Sequence, residues 1–136
     1  MWLFTETGFI SAVTHRDDAS KMMVRSRDRE SIANLAEFTK TKIQKTLGAD
    51  YPYRIVVTKD QLKKWTNQQI DNAQYDNFKN RVTKTRGHNF VAALHDVWGV
   101  MHKVEDAGRT PYFSEYDSEY LDETYFGIKN DWHHKK

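Results

Sequence analysis

Between Lys21 and Phe38 the spacing of the side chains changes period, and that switch limits the fold more than any other stretch of the chain. Lys21-Met22-Met23-Val24-Arg25-Ser26-Arg27 alternates, with Met22, Val24 and Ser26 on one side and Met23, Arg25 and Arg27 on the other, the period-two signature of a strand. From Asp28 onward Ile32, Leu35, Ala36 and Phe38 fall at roughly helical spacing, and Glu30 stands in the first turn, where the helix dipole favours an anion. A strand that feeds a helix directly excludes all-helical and all-β folds. One strand face is left to pack a core, and the other presents guanidinium groups, either as an ordinary solvated face or as an anion-binding one.

The flanking segments extend this pattern. Trp2-Leu3-Phe4-Thr5 and Phe9 to His15 are rich in aromatic and β-branched residues, with Glu6-Thr7-Gly8 between them, which predicts an N-terminal hairpin that Met22 to Arg27 joins as a third strand. Lys42 to Thr46 reads as a short edge strand and Arg54-Ile55-Val56-Val57-Thr58 as an interior one. Thr58-Lys59-Asp60-Gln61 matches a capping box, so a helix is expected from about Lys59, with a break or restart in the Asn-rich stretch before Val82. In His88 to Val104, residues Phe90, Leu94, Val97, Met101 and Val104 form an i, i+4, i+7, i+11, i+14 stripe, which predicts a helix whose apolar side is core. Beyond Gly108 and Pro111 the composition changes to an acidic stretch carrying Tyr112, Tyr116, Tyr120 and Tyr125.

These segments predict an α+β chain. It has a ferredoxin-like antiparallel sheet of four or five strands in a ββ(β)αββα order, helices on one face, and a further C-terminal helix. Residues 1–108 are expected to form one domain and 109–136 an acidic, tyrosine-rich tail, because 136 residues suffice for a single core and not for two. The expected core is Phe9, Val24, Ile32, Leu35, Ile55, Val57, Leu62, Phe90, Leu94, Val97 and Met101.

Composition removes several function classes. The chain has no cysteine, which excludes disulfides, thiolate catalysis and Cys-ligated zinc. No apolar run approaches the roughly 18 residues of a membrane span, and the first residues lack the pattern of a signal peptide, so a soluble cytoplasmic protein without a membrane partner is expected. Charge is unevenly placed: residues 1–104 hold 17 Lys and Arg against 11 Asp and Glu, whereas residues 105–136 hold 4 against 8. A basic body with an acidic appendage suits contact with macromolecules.

Catalytic motifs are missing. The sequence contains no Walker loop, G-x-G-x-x-G, H-E-x-x-H or G-x-S-x-G. His88, His95 and His102 recur every seven residues, about 10.5 Å per step along a helix, too far apart for neighbours to clasp one metal. His102 with Asp106, or His15 beside Asp17 and Asp18, has the chemistry for proton transfer but no nucleophile or orienting group. No catalytic residue, metal site or cofactor is therefore assigned. The candidate anion or nucleic-acid site consists of Arg25, Arg27 and Arg54 with His15 and Trp2, since arginine forks hold phosphate while aromatic rings stack on bases. The candidate partner-binding residues are Tyr112, Tyr116, Tyr120 and Tyr125.

Met1-Trp2, Gly8-Phe9 with Ser11, His15-Arg16-Asp17-Asp18, Val24-Arg25-Ser26-Arg27, Asp50-Tyr51-Pro52-Tyr53-Arg54 and Tyr75-Asp76-Asn77-Phe78-Lys79 occur in this order. The set resembles a family of short uncharacterised proteins of actinobacteria and their phages over about residues 1–104. The resemblance carries no established activity. It implies a host-directed accessory role by analogy. The sequence thus favours a non-enzymatic binding protein acting on a protein partner. The alternatives are a protein that binds single-stranded nucleic acid or a phosphate compound through a basic sheet face, and a small enzyme acting on an anionic phosphate compound.

Overall fold

In the computed structural model, which describes residues 1–106, the elements run β1 (Trp2–Thr5), β2 (Gly8–Thr14), β3 (Lys21–Ser26), α1 (Arg29–Thr39), β4 (Gln44–Lys45), β5 (Tyr53–Thr58), α2 (Lys59–Asp71), α3 (Phe78–Arg86) and α4 (His88–Asp106). This is the expected α+β arrangement with a five-stranded, wholly antiparallel sheet. Strand order is β1-β2-β3-β5-β4, so β5 returns past the edge strand β4 to pair with β3. The chain divides into two units, Met1–Leu94 and His95 onward, with the boundary inside α4.

Local chemistry explains most element ends. The change of period at Asp28 is a helix cap: its backbone is extended at φ −126° and its carboxylate accepts from the Ser31 amide at 3.3 Å, satisfying one of the open donors of the first turn. The capping box at α2 forms as the sequence predicts. Thr58 Oγ1 accepts from the Gln61 amide at 3.0 Å and Gln61 Oε1 accepts from the Thr58 amide at 2.9 Å. The restart after α2 begins at Phe78, where Asn77 Oδ1 accepts from the Asn80 amide at 2.9 Å.

One buried cluster fills the space between the sheet and the helices. Ile10 and Ala12 of β2, Val24 of β3, and Ile55 and Val57 of β5 meet Ile32, Leu35 and Ala36 of α1 and Leu62 and Trp65 of α2. Trp65 is fully buried and donates from Nε1 to Asn34 Oδ1 at 2.8 Å, which ties α2 to α1. Full burial of each large side chain contributes about 1.5–3 kcal/mol.

Four residues expected in this core lie elsewhere. Phe9 pairs with Phe4 on the opposite sheet face, because Ile10 and Ala12 supply the inward set of β2. Phe90 is half-buried with the Arg86 guanidinium 4.1 Å from its ring centroid, so it covers a cation instead of filling the sheet core. Val97 and Met101 are exposed, at 42% and 56%. Leu94, in the same stripe, is buried as expected.

Candidate nucleic-acid interface

Strand pairing assembles one row of side chains across the sheet. Trp2 is opposite Ser11, Ser11 opposite Arg25, Arg25 opposite Arg54, and Arg54 opposite Gln44. Directly paired residues project to the same side. This row therefore lies on the face away from Val24 and Ile55, opposite the one that α1 and α2 cover. Trp2, Arg25 and Arg54, singled out separately from the sequence, share it. The strand residues of this face carry Lys21, Arg25 and Arg54 and no acid.

The β1–β2 end of the face is aromatic. Phe4 and Phe9 stack at 4.6 Å between ring centroids, and Trp2 meets Phe9 edge-on at 5.5 Å, the two arrangements that the ring quadrupole favours. Trp2 is 67% exposed and Phe4 37%. Large apolar rings held at solvent by their neighbours are a stacking surface.

The other end is cationic and is organised by Tyr51. This residue is buried, and the guanidinium carbons of Arg25 and Arg27 each lie 4.7 Å from its ring centroid. Arg54 Nε donates to the Tyr51 carbonyl at 3.1 Å. Three guanidiniums thus converge on one residue, two on its ring through cation–π contacts and one on its backbone carbonyl through a hydrogen bond. Arg27 is also neutralised, since its Nη1 lies 3.0 Å from the Asp50 carboxylate. Arg25 donates from Nη2 to Ser11 Oγ at 3.1 Å, and its buried Nε has no hydrogen-bond partner. Among the described residues neither Arg25 nor Arg54 has a carboxylate partner, although they stand directly opposite each other, a like-charge pairing that destabilises a sheet.

His15 is placed apart. It opens the β2–β3 loop, its Nδ1 accepting from the Asp17 amide at 3.2 Å, roughly 13 Å along β2 from Ser11 at a strand rise of ~3.3 Å per residue. The loop is closed by Asp18, which accepts from the Ser20 hydroxyl at 2.6 Å and the Ser20 amide at 3.0 Å. In α4 the Trp98 ring lies between His95 and His102, 5.6 Å and 4.5 Å away, and His102 pairs with Glu105 at 3.1 Å. The Asp106 side chain and the candidate tyrosines Tyr112, Tyr116, Tyr120 and Tyr125 lie outside the described residues. No three His, Cys, Asp or Glu among the described residues are grouped to hold a metal. A cleft of about 300 Å³ between β1 and the end of α2 is lined by Leu3, Trp65, Ile70 and Tyr75. Glu6 at its rim is bound to Arg81 Nε at 2.5 Å.

One positioning residue gives no local signal in the sequence. Arg86, at the end of α3, has a side chain only 6% exposed and joins two separate segments, the β1–β2 turn and the start of α1. It donates to the Thr7 carbonyl at 2.7 Å and Ser31 Oγ at 3.0 Å, and it is paired with Asp28 and, at 3.3 Å, Glu30. Gly8 makes this approach possible. Its φ is +146°, and a Cβ there would collide with Ser31 Oγ and Arg86 Nη1. Thr85 adds a hydrogen bond to the Glu6 carbonyl. The β1–β2 turn, and with it the aromatic end of the face, is therefore anchored to α1 and α3. The acidic start of α1 at Asp28 and Glu30 signals that a cation is needed there, but not which one. No protein-family model, curated protein or solved structure matches this chain.

Proposed function

We propose that this chain is a non-enzymatic binding protein that takes single-stranded nucleic acid on the open face of its sheet. The observation that carries this reading is the row Trp2–Ser11–Arg25–Arg54, which joins an exposed aromatic cluster to two arginines that have no carboxylate partner among the described residues. Bases of any identity stack on rings while guanidiniums take the phosphates. Ligand binding should quench Trp2, and affinity should fall linearly in log–log form with salt, because the counterions that binding releases gain less entropy in a more concentrated solution. Titration of the full chain with oligothymidylate and oligouridylate across a salt series tests this. Binding that is absent, or indifferent to salt, refutes it.

A protein partner is the second reading, and α4 favours it. Val97, Trp98, Val100, Met101 and Val104 are all large, apolar and between 42% and 61% exposed, a patch of the kind that marks association surfaces. The resemblance to actinobacterial and phage proteins adds a host-directed role in the cytoplasm to this reading. Retention of a host protein by the wild type, and its loss on Val97→Lys with Met101→Lys, tests it. Equal retention by both chains counts against α4 as the contact.

A further inference from the structure

The two ends of the open face differ in chemistry, and their separation suggests a division of labour. Resting on the nucleic-acid reading above, we infer that Arg25 and Arg54 together hold a single phosphate, and that Trp2 carries the adjoining base two strands away. The ligand backbone then crosses the strands instead of following one of them.

Three features support one shared phosphate. Arg25 and Arg54 are cross-strand partners, so their backbones stand within about 5.5 Å of each other. Both side chains are held by Tyr51, one over its ring and the other on its carbonyl, which brings the heads to the same locality. Among the described residues neither has a carboxylate partner, and none supplies an acceptor to the buried Arg25 Nε. An anion placed between them relieves the like-charge opposition and accepts from both forks. Arg27 is not part of this pair, because Asp50 already occupies it.

The base position follows from spacing. Strands lie about 4.8 Å apart, so Trp2 on β1 is about 10 Å from Arg25 on β3 and about 14 Å from Arg54 on β5. Ser11 lies between, buried and engaged by Arg25. The planar rings are confined to β1 and β2 and the guanidiniums to β3 and β5. Every nucleotide couples an anion to a planar base at a fixed separation, whereas in an acidic peptide the carboxylate and any ring belong to different residues, and for that reason a nucleotide fits the pair of subsites better.

The test compares salt slopes in the full chain, with labelled oligothymidylate as the probe and Arg25→Gln, Arg54→Gln, their combination and Trp2→Ala as variants. Each single Gln leaves the other arginine on the phosphate and should lower the slope of log K against log salt by less than about 0.7, the value for one phosphate contact on a single strand. The double variant should lower it by about 0.7. Two separate phosphates predict about 1.4 instead, and that result overturns the shared site while leaving the nucleic-acid reading intact. Unchanged slopes in all three variants, with wild-type binding preserved, also overturn it. Failure of the wild type to bind at all removes both. Trp2→Ala should weaken binding about tenfold without altering the slope, and thymidine without phosphate should quench Trp2 equally in the wild type and the double Gln variant. Thymidine quenching lost in the double variant overturns the division of labour, as does polyglutamate that displaces the oligomer at equal charge. Arg25→Lys and Arg54→Lys guard against misfolding: they keep the charge, so they should keep the slope. A slope lost in these charge-preserving variants counts against the assignment.

Discussion

Replacing Gly8 with alanine tests how the binding face is anchored. Gly8 opens β2 at φ +146°, a conformation that side-chain-bearing residues reach at about 1–3 kcal/mol. The added methyl also occupies the space of Ser31 Oγ and Arg86 Nη1. Ser31 Oγ accepts from the Phe9 amide at 3.1 Å and from Arg86 at 3.0 Å; displacing it forfeits both bonds, roughly 1 kcal/mol each. The expected loss is about 3–5 kcal/mol, a large part of the ~5–15 kcal/mol that holds a typical domain folded. With a urea slope of about 2 kcal/mol/M, the midpoint should fall by roughly 2 M at unchanged slope. Placing Gly8→Ala in a Ser31→Gly background removes the clash with Ser31 Oγ and its two bonds from the comparison and leaves the Arg86 Nη1 contact and the backbone term, so Gly8→Ala should cost about 2 kcal/mol less there than in the wild type. A midpoint shift below about 0.5 M for Gly8→Ala alone would refute the reasoning, since it would mean that the turn relaxes without disturbing Arg86.

Arg86→Met should destabilise the chain by about 2–3 kcal/mol, chiefly because the Thr7 carbonyl and Ser31 Oγ lose their donor while water can serve the exposed Asp28 and Glu30 carboxylates, and in urea it should be non-additive with Gly8→Ala through their shared Ser31. Asp50→Asn frees Arg27 from its ion pair and should steepen the salt slope of oligothymidylate binding by about 0.7; an unchanged slope would show that Arg27 does not reach the ligand. The Ser20 hydroxyl and amide, with Lys21 nearby, hold Asp18 below the ordinary aspartate range. The charged form is the one favoured by the native loop, so its contribution is present above the ordinary carboxylate pKa and lost as pH falls through the lowered one. Ser20→Ala should move the Asp18 titration, followed by NMR, back toward normal, and an unmoved curve would refute the cause.

What could be read from the sequence divides along the line between local and distant contacts. The α1 start at Asp28, the Thr58–Gln61 box and the β5 run are each set within a few residues, and each forms as expected. The inward face of β2 was harder to read because Phe9 and Ile10 are both large and apolar. The choice is made by Phe4 stacking on Phe9 across the hairpin and by α1 against Ile10. The α4 stripe correctly marks a helix, yet periodicity cannot say what that helix meets, and Val97, Met101 and Val104 face outward. Alternation alone put Arg25 on the face opposite Val24. That Trp2 and Arg54 join Arg25 in one row depends on two hairpin lengths and on β5 pairing with β3, and Tyr51 as the common anchor has no local signal. Arg86 contacts Asp28 across 58 residues, beyond the reach of any pattern in a window.

The strand order has a consequence for when this surface comes into being. Strands β1 to β3 form a meander of neighbours, closed by short loops at small entropic expense. Arg54 reaches Arg25 only after α1 and β4 have been laid down and β5 has slotted between β3 and β4, the high-contact-order step of the topology. A chain emerging from the ribosome can therefore display the aromatic cluster early, while the guanidinium pair waits for β5. On the proposed reading, ligand competence and completion of the sheet arrive together, so an incompletely synthesised chain would be silent as a binder.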